Sequence, residues 1–129
     1  MGIIKDDLYR YVGKRDALSM LKTYILVPGF RYSFWMRVCA YFRKNKSLFY
    51  PLFFLSFLIL RHYQFKYGID ISAATKIGKG FYIGHFSCIV ISPLAILGNN
   101  VNISQGVTIG YANRGNNIGA ATIGNNVYI

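Results

Sequence analysis

Apolar and polar positions along the chain follow two different periods, and the change falls near Tyr67-Gly68. Upstream, apolar residues recur at helical spacing. Asp16 suits an N-cap, and Leu18, Leu21, Ile25 and Leu26 form an apolar stripe on a helix starting near Ala17. Pro28-Gly29 interrupts that run, because proline breaks the backbone ladder and glycine adds a joint. A second helix is expected over residues 31–44, with Phe34, Trp35, Val38, Tyr41 and Phe42 as its apolar stripe and Arg37 and Lys44 on another face. Lys44-Asn45-Lys46 reads as a polar turn. Residues 47–60 then carry no charge and are dominated by Leu and Phe.

Downstream the period is six. Ile77 and Ile83 are six apart, as are Ile91, Leu97, Ile103 and Ile109, and again Ile123 and Ile129. Two residues are inserted between Ile83 and Ile91, and eight between Ile109 and Ile123. Gly or Ser follows every anchor that has a successor. A short strand plus a turn accounts for this repeat, with glycine relieving crowding where the chain bends. Asn99-Asn100 and Asn125-Asn126 fall where left-handed backbone is expected, which asparagine tolerates better than most residues. One hexad cannot bury its own anchor, whereas stacked coils can, so the pattern predicts a solenoid.

Composition sharpens the contrast. The chain has 129 residues, 15 Lys or Arg, 4 Asp, no Glu and a formal charge of +11. Residues 1–66 hold 12 of the basic residues and 16 of the 22 aromatics. The apolar content excludes a disordered chain, and two cysteines make no disulfide framework. Lys5, Asp6 and Asp7 precede any apolar run, so no secretory signal is read and a reducing, cytoplasmic setting is expected. The 14-residue uncharged stretch falls short of the roughly 20 residues that span a bilayer. Its flanks, Arg43, Lys44, Lys46, Arg61, Tyr63 and Lys66, suit the headgroups of an anionic leaflet. Residues 1–66 are therefore expected to be a helical, basic-aromatic segment at a membrane surface, peripheral on the cytoplasmic membrane; burial against a partner subunit is the alternative. No helix–turn–helix, zinc or RNA-binding signature accompanies the charge, which argues against nucleic acid.

The stretch from Gly68 to Gly80, then Ile83-Gly84-His85, then Ser104-Gln105-Gly106-Val107-Thr108-Ile109-Gly110, resembles the hexapeptide-repeat acyltransferases. Within them it resembles the serine acetyltransferase-like branch, which includes O-acetyltransferases of capsule, colanic-acid and lipopolysaccharide sugars. The resemblance covers residues 67–129. It implies a mainly β fold, a left-handed parallel β-helix preceded by α-helices. It further implies homotrimers, with acetyl-CoA bound between neighbouring subunits, and it gives no role to a metal.

O-acetyl transfer needs a base to take the acceptor's hydroxyl proton, and histidine suits that task near neutral pH. Of two histidines, His62 sits in the basic aromatic segment and reads as interfacial, while His85 lies in the repeat. Asp70 is the only acidic residue after Asp16, and it precedes His85 by fifteen residues. In serine acetyltransferases the catalytic Asp, in a "(V/I)-D-I" motif, and the His stand fifteen apart. The resemblance therefore implies His85 as general base and Asp70 as the group that orients it, with backbone N–H groups of the turns stabilising the oxyanion. The alternative is structural: a turn residue at a solenoid corner and a strand-start cap. An ideal coil of eighteen would stack His85 over Tyr67.

Serine acetyltransferases carry an Asp immediately before that His, where this chain has Gly84. They also carry an Arg-His pair after the glycine-rich loop, and Gly119-Ala120 stand there instead. These departures favour a sugar, free or lipid-linked, over serine as the acceptor. Gly110, Tyr111 and Arg114 are the candidate acetyl-CoA-binding residues. Arg114, the only basic residue after Lys79, suits a phosphate of coenzyme A or of a nucleotide- or lipid-linked sugar; a solvated loop cation is the alternative. Cys88 is expected to be a small buried residue, since direct transfer needs no covalent intermediate. A zinc site of the γ-carbonic-anhydrase type needs three His ligands, against one in the repeat. The chain stops at an anchor, Ile129, so a truncated frame is expected. The sequence thus predicts an O-acetyltransferase moving an acetyl group from acetyl-CoA to a sugar hydroxyl in surface-polysaccharide biosynthesis; the other readings are a non-catalytic truncated β-helix remnant or trimeric scaffold, and a serine O-acetyltransferase.

Overall fold

The computed structural model describes residues 2–45 and 49–129. The expected turn at Lys46 and the start of the uncharged stretch at Ser47 and Leu48 lie outside the described residues. Helices α1 (Gly2–Val12), α2 (Ala17–Leu26), α3 (Pro28–Lys44) and α4 (Tyr50–Tyr67) come first. Asp16 caps α2 as expected: its carboxylate accepts from the Ser19 amide at 2.8 Å. Helix α1 was not anticipated, although Ile4 and Leu8 stand one turn apart and are buried. Pro28 does more than interrupt. It occupies the first turn of α3, where a missing N–H costs nothing, so that helix starts three residues earlier than expected.

Both expected apolar stripes need correction. On α2 the stripe residues Leu18, Leu21, Ile25 and Leu26 are exposed, and Thr23 is the buried position. On α3 the buried face is Phe30, Tyr32, Ser33, Met36, Arg37 and Cys39; of the expected stripe Phe34, Trp35 and Val38 are half-buried against the core, and Tyr41 is exposed. The reason is hydrogen bonding. Tyr32, Ser33 and Arg37 all find partners inside, so these polar side chains are buried without loss.

Helix α4 ends on Gly68, whose φ of 61° is the left-handed conformation that closes a helix. The coil follows: β1 (Ile69–Ile71), β2 (Lys76–Ile77), β3 (Tyr82–Ile83), β4 (Ile89–Ile91), β5 (Ile96–Leu97), β6 (Asn102–Ile103), β7 (Thr108–Ile109), β8 (Tyr111–Ala112), β9 (Gly119–Ala120) and β10 (Thr122–Ile123). Parallel ladders β1–β4–β7, β2–β5–β10 and β3–β6 form three faces. The solenoid read from the hexads is thus present as a parallel three-sided coil.

Register shows where the insertions go. Ile69 pairs with Ile89, twenty residues on, so the first coil absorbs the two extra residues at the His85–Cys88 corner. Ser87 and Cys88 take positive φ values of 101° and 53° there. Val90 pairs with Thr108, eighteen residues on, without an insertion. The eight extra residues form the antiparallel β8–β9 hairpin, and Leu97 then meets Ile123.

Anchors Ile77, Ile83, Ile91, Leu97, Ile103 and Ile109 are buried, and Phe81, Ala95 and Val101 join them two residues ahead of an anchor. Asn100 and Asn126 adopt φ of 56° and 58°, as the sequence suggested. Their neighbours build a ladder: Asn99 Oδ1 accepts from the Lys79 amide at 3.1 Å, and Asn125 Oδ1 from the Asn99 amide at 2.7 Å. Gly78 and Gly98 stack beside it so closely that an added Cβ would lie 2.5 Å from Gly98 O and from Asn125 Oδ1, respectively.

The helices seal the open edge of the first coil. A solenoid end leaves unpaired strand groups that need partners. The Tyr32 hydroxyl donates to Ile71 O at 2.7 Å and accepts from Ile71 N at 3.1 Å. Tyr11 treats Ile83 the same way, accepting from its amide at 2.8 Å and donating to its carbonyl at 3.4 Å. Burial pushes both phenols far above their ordinary range, so both stay protonated. Arg37 donates to Ile77 O at 2.7 Å and Gly78 O at 2.6 Å, while gripping buried Asp7 at 2.8 Å. Asp7 in turn accepts from the Phe81 amide at 2.9 Å. Arg37 was read as part of a polar face, and it is instead the central polar group of the cap.

Candidate active site

Asp70 occupies the middle of β1. Its neighbours Ile69 and Ile71 point inward, so its own side chain points out, in a row with Val90 and Thr108. It faces a groove of about 430 Å³ between helices α3 and α4 and the first two coils. Phe53, Phe57 and Leu60 give the groove an apolar wall, and Arg43, Arg61, Gln64, Ser72 and Ser92 supply its polar groups.

Gln64, which sequence reading missed, connects this wall to the carboxylate. Its side-chain Nε2 donates to Asp70 Oδ1 at 3.3 Å and to Ile71 O at 3.4 Å. Its Oε1 accepts from Arg61 Nη1 at 2.9 Å. Arg61 also lies over the Phe65 ring, 4.8 Å from its centroid. The signal for Gln64 was available only as spacing: it falls one turn after Leu60 on the buried stripe of α4, where an apolar residue would be expected.

His85 lies at the corner between β3 and β4, and its side chain is exposed. The coil of twenty places Val90, not His85, beside Asp70. Among the described residues no hydrogen bond joins Asp70 to His85; the carboxylate is held by Gln64. The stacking expected between His85 and Tyr67 shifts by one residue, and the Tyr67 ring packs on Phe86 at 5.4 Å. Cys88 was expected to be buried but is exposed on the same corner, because the insertion turns it outward; Cys39 is the buried cysteine, and burial pushes its thiol up. His62 is exposed on α4.

Gly110 ends the face that begins at the His85 corner, and Tyr111 starts the hairpin, paired with Ala120. Arg114 lies at the exposed tip of that hairpin. Within the chain, His85 and the hairpin therefore stand at opposite edges of the β1–β4–β7 face.

No family model matches the chain. The serine acetyltransferase of Bacillus pumilus is 29% identical over 109 residues, covering 84% of this chain and 48% of that protein. A solved serine acetyltransferase, isoform 3 from Entamoeba histolytica in complex with cysteine, superposes with a TM-score of 0.71 at 30% identity, over 98% of this chain and 44% of that one. A serine acetyltransferase solved in complex with CoA gives 0.66 at 24% identity, over 95% of this chain and 48% of that one. The chain spans about half the length of the curated relatives it matches. Helices and coil together have the fold found in serine acetyltransferases, and the sequence is similar to theirs.

Proposed function

We propose that this chain is an acetyl-CoA-dependent O-acetyltransferase, with a left-handed coil and donor sites between the subunits of a homotrimer. The observation that carries this reading is the likeness to a serine acetyltransferase over 98% of the chain, helices included. His85 takes the proton from the acceptor hydroxyl as its oxygen attacks the thioester carbonyl. The tetrahedral intermediate collapses, the C–S bond breaks, and the imidazolium returns the proton to the leaving thiolate. In this reading Asp70 is the group that orients the imidazole; Gln64 holds its Oδ1, so Oδ2 is the oxygen left to accept from His85, a bond not made in the structure. Trimer assembly brings the hairpin of one subunit, with Gly110, Tyr111 and Arg114, to the His85 corner of the next.

The names of the relatives favour serine as the acceptor, and this replaces the sugar as the leading reading. A sugar hydroxyl remains the second reading because of Gly84 and the missing Arg-His pair. An acceptor panel decides between them: purified chain and acetyl-CoA with serine or with hexoses and N-acetylhexosamines, read by release of the coenzyme A thiol. Serine-dependent release is expected. Release with sugars alone moves the acceptor to the second reading, and release with neither removes the proposal.

A further inference from the structure

The outer side of α4 has no role in the cap. Its inner stripe, Ser56, Leu60, Gln64 and Tyr67, is buried against α3 and the coil. On the opposite stripe Phe54, Leu55, Leu58 and Phe65 are about half exposed or more, at 50%, 54%, 48% and 76%. Singly exposed apolar residues are ordinary, but a contiguous stripe of large ones marks a contact surface. Basic residues continue the same stripe: Arg61, His62 and Lys66 lie on the turns that follow Leu58, and Arg43 and Lys44 end the neighbouring α3, all five exposed. Among the described residues, no helix is long and apolar enough to cross a membrane.

Charge selects the occupant. Between Asp16 and Asp70 the chain has eight basic residues and no acidic one. A second copy laid on this face would bring like charges together with no carboxylate to answer them. An anionic lipid surface accepts both parts, apolar side chains below the headgroups and cations among them.

We propose that the outer face of α4 docks on an anionic lipid surface, with Phe54, Leu55 and Leu58 inserted and Lys44 and Lys66 at headgroup level. This stands on the exposed stripe and its charge, independently of the acetyl-transfer reading.

The test is flotation of the purified chain with vesicles of phosphatidylcholine alone or mixed with phosphatidylglycerol, at low and high salt. The chain is expected to float with the mixed vesicles, to stay down with phosphatidylcholine, and to be released by salt. The double variant Phe54→Ser/Leu58→Ser, checked for folding by circular dichroism, is expected to bind roughly tenfold or more weakly, from the lost apolar area. If it does not fold, Lys44→Gln/Lys66→Gln serves the same purpose through the lost charge. A chain that stays down with mixed vesicles at low salt overturns the proposal. So does a folded double variant that floats as well as the parent. So does sedimentation showing that the serine substitutions dissolve an oligomer, since a second copy then covers the face.

Discussion

Arg37 joins helix α3 to both α1 and the coil through four hydrogen bonds. It is 9% exposed and answers one carboxylate and two coil carbonyls at once. Burial pushes the Asp7 carboxyl up and the guanidinium pulls it back, so removing Arg37 leaves a buried charge with no counterion. Arg37→Ala is expected to cost about 3–5 kcal/mol in urea denaturation. Tyr32→Phe leaves the Ile71 amide unanswered and its carbonyl with Gln64 alone, and is expected to cost about 1–3 kcal/mol. Neither role was legible, because an arginine at helical spacing looks the same whether it faces water or a coil edge. Asp16 was legible, since capping is local in sequence. The Ser19 amide holds its carboxyl below the ordinary value. Its contribution is therefore present above the ordinary carboxylate range and lost as the pH falls through the lowered value. Asp16→Asn caps without titrating, so on acidification the parent should lose stability relative to this variant, as read by thermal melts at successive pH values.

At the level of elements, the hexads could be read and the helix faces could not. A six-residue anchor spacing is dictated by one coil stacking on the next, so Ile77, Leu97 and Ile103 announced themselves. The faces of α2 and α3 are set by what they pack against, which the helical period alone does not say. Leu18, Leu21, Ile25 and Leu26 satisfy an amphipathic template and are still exposed. The insertions were visible as breaks in phase, but only the ladder shows that one becomes a corner and the other a hairpin. The glycine column gives a sharp test. Gly98→Ala puts a Cβ 2.5 Å from Asn125 Oδ1 and is expected to cost about 1–3 kcal/mol, whereas Gly110→Ala meets nothing within 4 Å and should be close to neutral in the same melts.

On the scale of the whole molecule, the helices and the coil divide the work. The helices close one end of the solenoid through Asp7, Tyr11, Tyr32, Arg37 and Gln64, and their outer faces remain free for other contacts. The composition break near Tyr67 carried the contrast in periods, but not the fact that the basic half caps the apolar one. That relation is written in hydrogen bonds between residues far apart in sequence, such as Phe81 and Asp7. Gln64 stands only six residues before Asp70 and was hidden for another reason: helical spacing does not say which side chain turns to the strand. Asp70 and His85 were named from motif and spacing, and of the two only Asp70 lines the groove.

Acetyl transfer with His85 as the base is the proposed reaction. It is tested most directly by serine-dependent release of the coenzyme A thiol from acetyl-CoA, comparing the parent chain with His85→Ala at equal folded concentration. Release by the parent is expected, with a fall in kcat of about 10²–10⁴-fold in the variant. Equal rates in the two proteins, or no release by the folded parent with serine or with any sugar of the panel, would contradict it.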